Sequence, residues 1–240
     1  MSDTQDLDEL LRRRFDQQSD AARSAERVGR MRALRAWQSA RLVGTYDDLL
    51  REPLYADAVR FFLSDLYGPE EHTRRDQDLR RAAVPLKRTL PQPVLDILTR
   101  ALELQVLTAQ LDRAMVEQIG PATLTWKSYA AAYRAVGQAE ARKRQTDLMV
   151  SLGEDLDRVV RHDWIVLALR AARLPAQLAG FGVLQDFLER GFAAFRRMPD
   201  PRRLLDAVRE RETRLSAALL GGHDDLPDIA GAAIPASRPP

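Results

Sequence analysis

Cysteine is absent from the 240-residue chain, which removes disulfides, thiolate nucleophiles and every cysteine-ligated zinc or iron–sulfur site in one step. Histidine is scarce: His72, His162 and His223 are the three. None has a glutamate three residues before it, so the Glu-x-x-His pairs of di-iron bundles and the His-Glu-x-x-His of zinc hydrolases are both missing. No metal and no cofactor are expected. No run of eighteen apolar residues offers a membrane span, and Met1 to Gln18 mixes charged and apolar residues where a secretory signal needs an unbroken apolar stretch. The expected location is the cytoplasm. A P-loop, a G-x-G-x-x-G turn and a G-x-S-x-G elbow are likewise missing, so nucleotide-dependent and hydrolase chemistry lose their usual supports.

An excess of charge of one sign is missing too. The formal net charge is +2, and a pI near 9.1 overstates how basic the surface is. Only Lys87, Lys127 and Lys143 are lysines, so the arginine-rich, alanine-rich composition reads as the coding bias of a GC-rich genome. The run Arg23, Arg27, Arg30, Arg32, Arg35 and Arg41 is spread round its helix and interrupted by Asp20 and Glu26. It reads as a solvated face, and nucleic acid is not expected as a partner.

What the chain does have is helical periodicity. Apolar residues recur at steps of three and four from Leu7 to Leu220 with almost no alternation, which predicts an all-α fold: a single bundle of about eight helices with a disordered C-terminal tail. The expected organisation is a helical arm over residues 1–44, a bundle over 45–220 and a tail over 221–240. The helices are expected at about Thr4–Val43, stopped by Gly44; Pro53–Leu66, stopped by Tyr67-Gly68-Pro69; Pro69–Leu90; Pro91–Ile119; Ala122–Leu152, closed by Gly153; Glu154–Ala179; Phe181–Met198; and Pro201–Leu220. The tail holds Pro227, Pro235, Pro239 and Pro240 and no periodicity.

At 100° per residue the Pro91–Ile119 helix is apolar over more than half its circumference, yet Gln105, Thr108 and Asp112 fall inside that arc. A buried carboxylate is costly without a partner. On the next two helices Tyr129 and Tyr133, with Glu140 and Arg144 continuing their stripe, and Asp163 and Arg170 also point inward. The expected result is a polar seam through the bundle. It is either a pocket for a small polar or anionic ligand, built from Gln105, Asp112, Tyr129, Tyr133, Asp163 and Arg170, or a set of interhelical pairs fixing helix register.

A second cluster, Tyr67, His72, Arg75 and Asp76, gathers around the turn after Phe61 and Phe62. It reads as an anion site at a helix start or as a rigid corner. Leu7, Leu10, Leu11 and Phe15 form an apolar stripe on the N-terminal helix and are the expected contact with a protein partner or with a second copy in a homodimer.

At Phe61-Phe62-Leu63-Ser64-Asp65-Leu66-Tyr67-Gly68, with Arg75-Asp76 following, and at Leu184-Gln185-Asp186-Phe187-Leu188-Glu189-Arg190-Gly191-Phe192-Ala193-Ala194-Phe195-Arg196, the chain resembles a group of uncharacterised all-helical bacterial proteins. The resemblance covers about residues 45 to 220 and implies a cytoplasmic bacterial helical protein, with no activity, cofactor or catalytic residue to transfer. The expected function is therefore a non-enzymatic regulatory or scaffolding protein that works through protein contacts. The alternative is a protein that binds a small ligand or cofactor in a polar pocket in the bundle core.

Overall fold

The computed structural model describes Glu9 and residues 25–63, 92–178, 180 and 182–223. Among these residues there are nine helices and no strand: α1 Ala25–Thr45, α2 Asp47–Arg51, α3 Pro53–Phe61, α4 Gln92–Ile119, α5 Trp126–Val136, α6 Ala139–Val160, α7 Asp163–Leu178, α8 Gly182–Arg197 and α9 Pro201–Leu220. The all-helical expectation holds for the described residues. The Pro69–Leu90 helix, the cluster Tyr67, His72, Arg75 and Asp76, the stripe Leu7, Leu10, Leu11 and Phe15, and the tail from residue 224 lie outside them.

Several expected boundaries move, among them the start at Ala122, which falls at Trp126 instead. Gly44 does not stop the first helix, which runs through it to Thr45 before the chain turns at Tyr46 into α2. The expected Ala122–Leu152 helix is two helices. Gly137 and Gln138 both take positive φ, at 61° and 58°, so α5 ends on a left-handed glycine and α6 restarts with a new phase. At its other end α5 is held by a capping box: the Ser128 N–H donates to Thr125 Oγ1 at 3.1 Å and Thr125 N–H to Ser128 Oγ at 2.9 Å. Gly153, expected to close that helix, instead sits inside α6, where it lets Leu205 of α9 approach the backbone. The real break comes at Arg161 and His162, so residues 154–160 belong to α6 and α7 starts afresh at Asp163.

α6 is the organising helix, packed against α4, α8 and α9, while α1 lies on α4 and α5 bridges α4 and α9. One apolar cluster joins α1, α2 and α3 to α8 and α9 through Leu49, Val59, Phe61, Phe195 and Leu204. A second joins α1, α4, α5 and α9 through Leu34, Met115, Tyr129 and Leu219. Leu34 of α1 is 1% exposed. Ion pairs tie the periphery of the first cluster: Arg211 grips Asp48 with two bonds of 2.7 and 2.6 Å, and Arg203 grips Glu52 with bonds of 2.7 and 2.5 Å.

Candidate functional site

Where α1, α4, α5, α6 and α9 meet, the packing leaves a cavity lined mainly by polar side chains. Gln38, Arg41 and Leu42 come from α1, Thr108 and Asp112 from α4, and Tyr129 and Tyr133 from α5. α6 supplies Arg142, Gln145, Thr146 and Met149, and α9 supplies Glu212, Leu215 and Ser216. Measured to the centre of a water-sized sphere, it encloses about 50 Å³, room for a few waters or for a carboxylate or phosphate group.

Most of its polar groups are engaged with one another. Asp112 accepts from Gln38 Nε2 at 3.1 Å and lies 3.4 Å from Arg35 Nε. Arg41 Nη1 donates to Glu212 Oε1 at 2.6 Å, and the Tyr46 hydroxyl donates to the same oxygen at 3.0 Å. Gln145 Nε2 donates to Thr108 Oγ1 at 2.8 Å, and the Tyr133 hydroxyl to Ser216 Oγ at 3.0 Å. Burial works against the charge on Arg41, but the attraction and hydrogen bond of Glu212 more than offset it and hold its pKa above the ordinary arginine value. The Tyr129 phenol is pushed up by burial, with Arg142 and Arg41 pulling the other way; it stays protonated. Trp37 stacks on its ring at 4.2 Å between centroids, which closes the wall on that side.

Among the described residues Arg41 Nε has no partner, and Arg142 is the larger exception. It is 6% exposed, and its guanidinium lies over the Tyr133 ring at 4.2 Å from the centroid. Among the described residues neither Nε nor Nη2 has a hydrogen-bond partner, and no carboxylate pairs with it. With Asp112 met by Arg35 and Glu212 by Arg41, this cation is left uncompensated. Nε and Nη2 share one edge of the guanidinium and offer parallel N–H groups, the fork that takes a carboxylate or phosphate through two bonds.

The cavity brings together Asp112, Tyr129 and Tyr133 of the expected ligand set, with Thr108 beside them. Gln105 is half-buried, with its Oε1 lacking a partner, but it is not part of the lining. Asp163 and Arg170 are a correction: both are exposed, and Asp163 is paired with Arg196 at 2.5 Å. The break at Arg161 and His162 ends the continuous wheel that placed them with Val159 and Val160. Glu140 and Arg144 are exposed as well, with Arg144 held by Glu103 at 2.7 Å, because the restart at Gly137 brings Arg142 inward in their place. The basic run on α1 is corrected in part: Arg41 is buried and Arg35 reaches Asp112. Arg142, Arg41, Gln38 and Glu212 are the residues the sequence reading missed. Taking Gly137 as a helix end and starting a new wheel at Ala139 puts Arg142, Thr146 and Met149 on one stripe, and that was the available signal.

No described helix is long and apolar enough to cross a membrane. Among the described residues no group of three or more His, Cys, Asp or Glu is placed to hold a metal.

The sequence model of DUF8198, a domain of unknown function, matches residues 15–226. The chain belongs to this family. No curated protein and no solved structure matches it. The DUF8198 match takes in α1 to α9 and with them every residue of the cavity lining, so the site is contained within the family's own domain.

Proposed function

We propose that the protein is a non-enzymatic helical binding protein that takes up a small anion through Arg142 in the core of its bundle. One observation carries this reading: a guanidinium more than nine-tenths buried stands on the wall of a polar cavity with two of its nitrogens unpartnered. A buried charge is costly unless it is paired, and an unmet fork edge is matched by an oxyanion. The lining supports binding over chemistry, since it contains no histidine and both of its carboxylates are already held by arginines. The test is thermal unfolding and calorimetry with acetate, phosphate and sulfate at constant ionic strength. An oxyanion should raise the unfolding midpoint of the parent chain and leave Arg142→Gln unmoved. No shift in the parent, or an equal shift in the variant, overturns the reading.

A second reading, self-association, is favoured by α7. Trp164, Leu167, Leu174 and Leu178 are 55, 69, 64 and 81% exposed, and with the exposed Ala171 they follow i, i+3, i+7, i+10, i+14. This is an a/d heptad seam. It is nearly palindromic about Ala171, so two copies can pair antiparallel about a two-fold axis, with Trp164 against the partner's Leu178 and the small Ala171 at the crossing. Sedimentation equilibrium should find a dimer that Leu167→Glu with Leu174→Glu converts to monomer. A monomer at every concentration of the parent chain sinks this reading.

A further inference from the structure

A second cavity adjoins the first. It encloses about 40 Å³ by the same measure, and the surface it presents is wholly apolar. Val59, Phe62, Leu63, Leu204 and Val208 form its body, and Leu42, Met149 and Glu212 belong to the walls of both cavities. Glu212 is occupied by Arg41, which lines the polar cavity, and by the hydroxyl of Tyr46, whose ring lines the apolar one. Leu42 and Met149 therefore make the apolar part of the partition, and Met149 has an unbranched side chain able to change shape at little cost.

A head-and-tail arrangement follows from this geometry. At one end lies an uncompensated fork that suits a carboxylate; at the other lies an apolar hollow; between them stands a partition carrying one flexible thioether. Two isolated voids would each be a packing defect, because interiors are close-packed and an apolar hollow loses contacts with nothing gained. One ligand with a charged head and a short aliphatic chain would meet both needs. We infer that the ligand of this site is an amphipathic carboxylate, its head on Arg142 and its alkyl chain passing Met149 into the hollow between α1, α3 and α9. This rests on the anion-binding reading above and specifies the class of anion. By the volume needed for a water-sized group, the hollow takes about three or four methylenes, which makes the ligand a short- to medium-chain acid.

The test is calorimetry on the full chain with acetate, butanoate, hexanoate, octanoate and decanoate, and with octanol as a neutral control. Each methylene entering the hollow should tighten binding about fourfold, with the gain levelling off once the hollow is filled. Val208→Phe, at a half-buried wall position, should stop the climb with chain length while leaving acetate binding unchanged. Should that variant fail to fold, the chain-length series on the parent decides the matter alone. Arg142→Gln should lose every acid at once. Acetate and octanoate of equal affinity would overturn the tail while leaving the anion reading standing; no binding by any acid would overturn the carboxylate ligand, and the anion reading falls with it when phosphate and sulfate fail as well. Octanol binding as tightly as octanoate would overturn the head-and-tail assignment.

Discussion

Arg41 and Arg142 are buried arginines on one cavity wall, but their surroundings differ, and so should the consequences of removing them. Arg41→Met leaves the largely buried Glu212 carboxylate with only Tyr46 as a donor among the described residues, and breaking a pair of this kind costs up to about 3–5 kcal/mol; its urea midpoint should fall. Arg142→Met removes an uncompensated charge and gives up one cation–π contact, so the ligand-free variant should be at least as stable as the parent while losing anion binding. A large loss of stability in Arg142→Met would mean that the guanidinium is already satisfied. Asp48 supplies a pH dependence. The Arg211 hydrogen bonds hold its carboxyl below the free value of 3.8, against the opposing effect of partial burial. Its folded pKa is thus the lower one, so the pair contributes stability above pH 3.8 and loses it as pH falls through the folded value. Asp48 is substantially exposed, which limits the contribution to about 1 kcal/mol or less. Asp48→Asn should be slightly less stable than the parent at pH 7 and equal to it below the folded pKa, as denaturant curves from pH 2 to 7 would check.

At the scale of elements, the phase of α6 decides what the cavity contains. Gly137 at φ 61° and ψ −114° occupies backbone space that a side chain makes expensive, so Gly137→Ala should cost about 1–3 kcal/mol. It should also weaken anion binding, because the turn sets which residues of α6 face inward. A loss of stability with undiminished binding would show that the turn and the site are independent. The α3–α8 contact offers a second check. A Cβ on Gly191 would stand 2.6 Å from the Phe61 ring, and a stiff ring in a packed cluster cannot yield cheaply. Gly191→Ala should cost about 1–3 kcal/mol in chemical denaturation without touching the cavity. Much of this layer was legible in the sequence: Pro201 after Asp200 opens α9 as expected, and the start of α4 falls within a residue of the reading. Glycine was where it failed, since Gly44 and Gly153 lie inside helices and Gly137 ends one. A one-letter pattern does not say whether a glycine is present for its φ or for the close approach of a neighbour.

For the whole molecule, binding and folding are linked. A ligand that occupies the cavity of the folded chain alone stabilises it by about 2.7 kcal/mol at a hundred times its dissociation constant, so the melting midpoint should climb with the logarithm of acid concentration. If α7 pairs two copies, the midpoint should also climb with protein concentration, and Leu167→Glu with Leu174→Glu should abolish that dependence alone. The sequence by itself determined that the fold is helical and that Asp112, Tyr129 and Tyr133 face inward, because these follow from a 3.6-residue period within single uninterrupted helices. It also determined that a buried Asp112 would require partners. Only the tertiary structure decided which ones: Arg35 and Gln38, both from α1. It also decided that Arg142 remains unmatched beside an apolar hollow. The physical reason is that pairing depends on the relative phase and crossing of helices distant in sequence, and two left-handed residues after α5 and one break after α6 were enough to reset both.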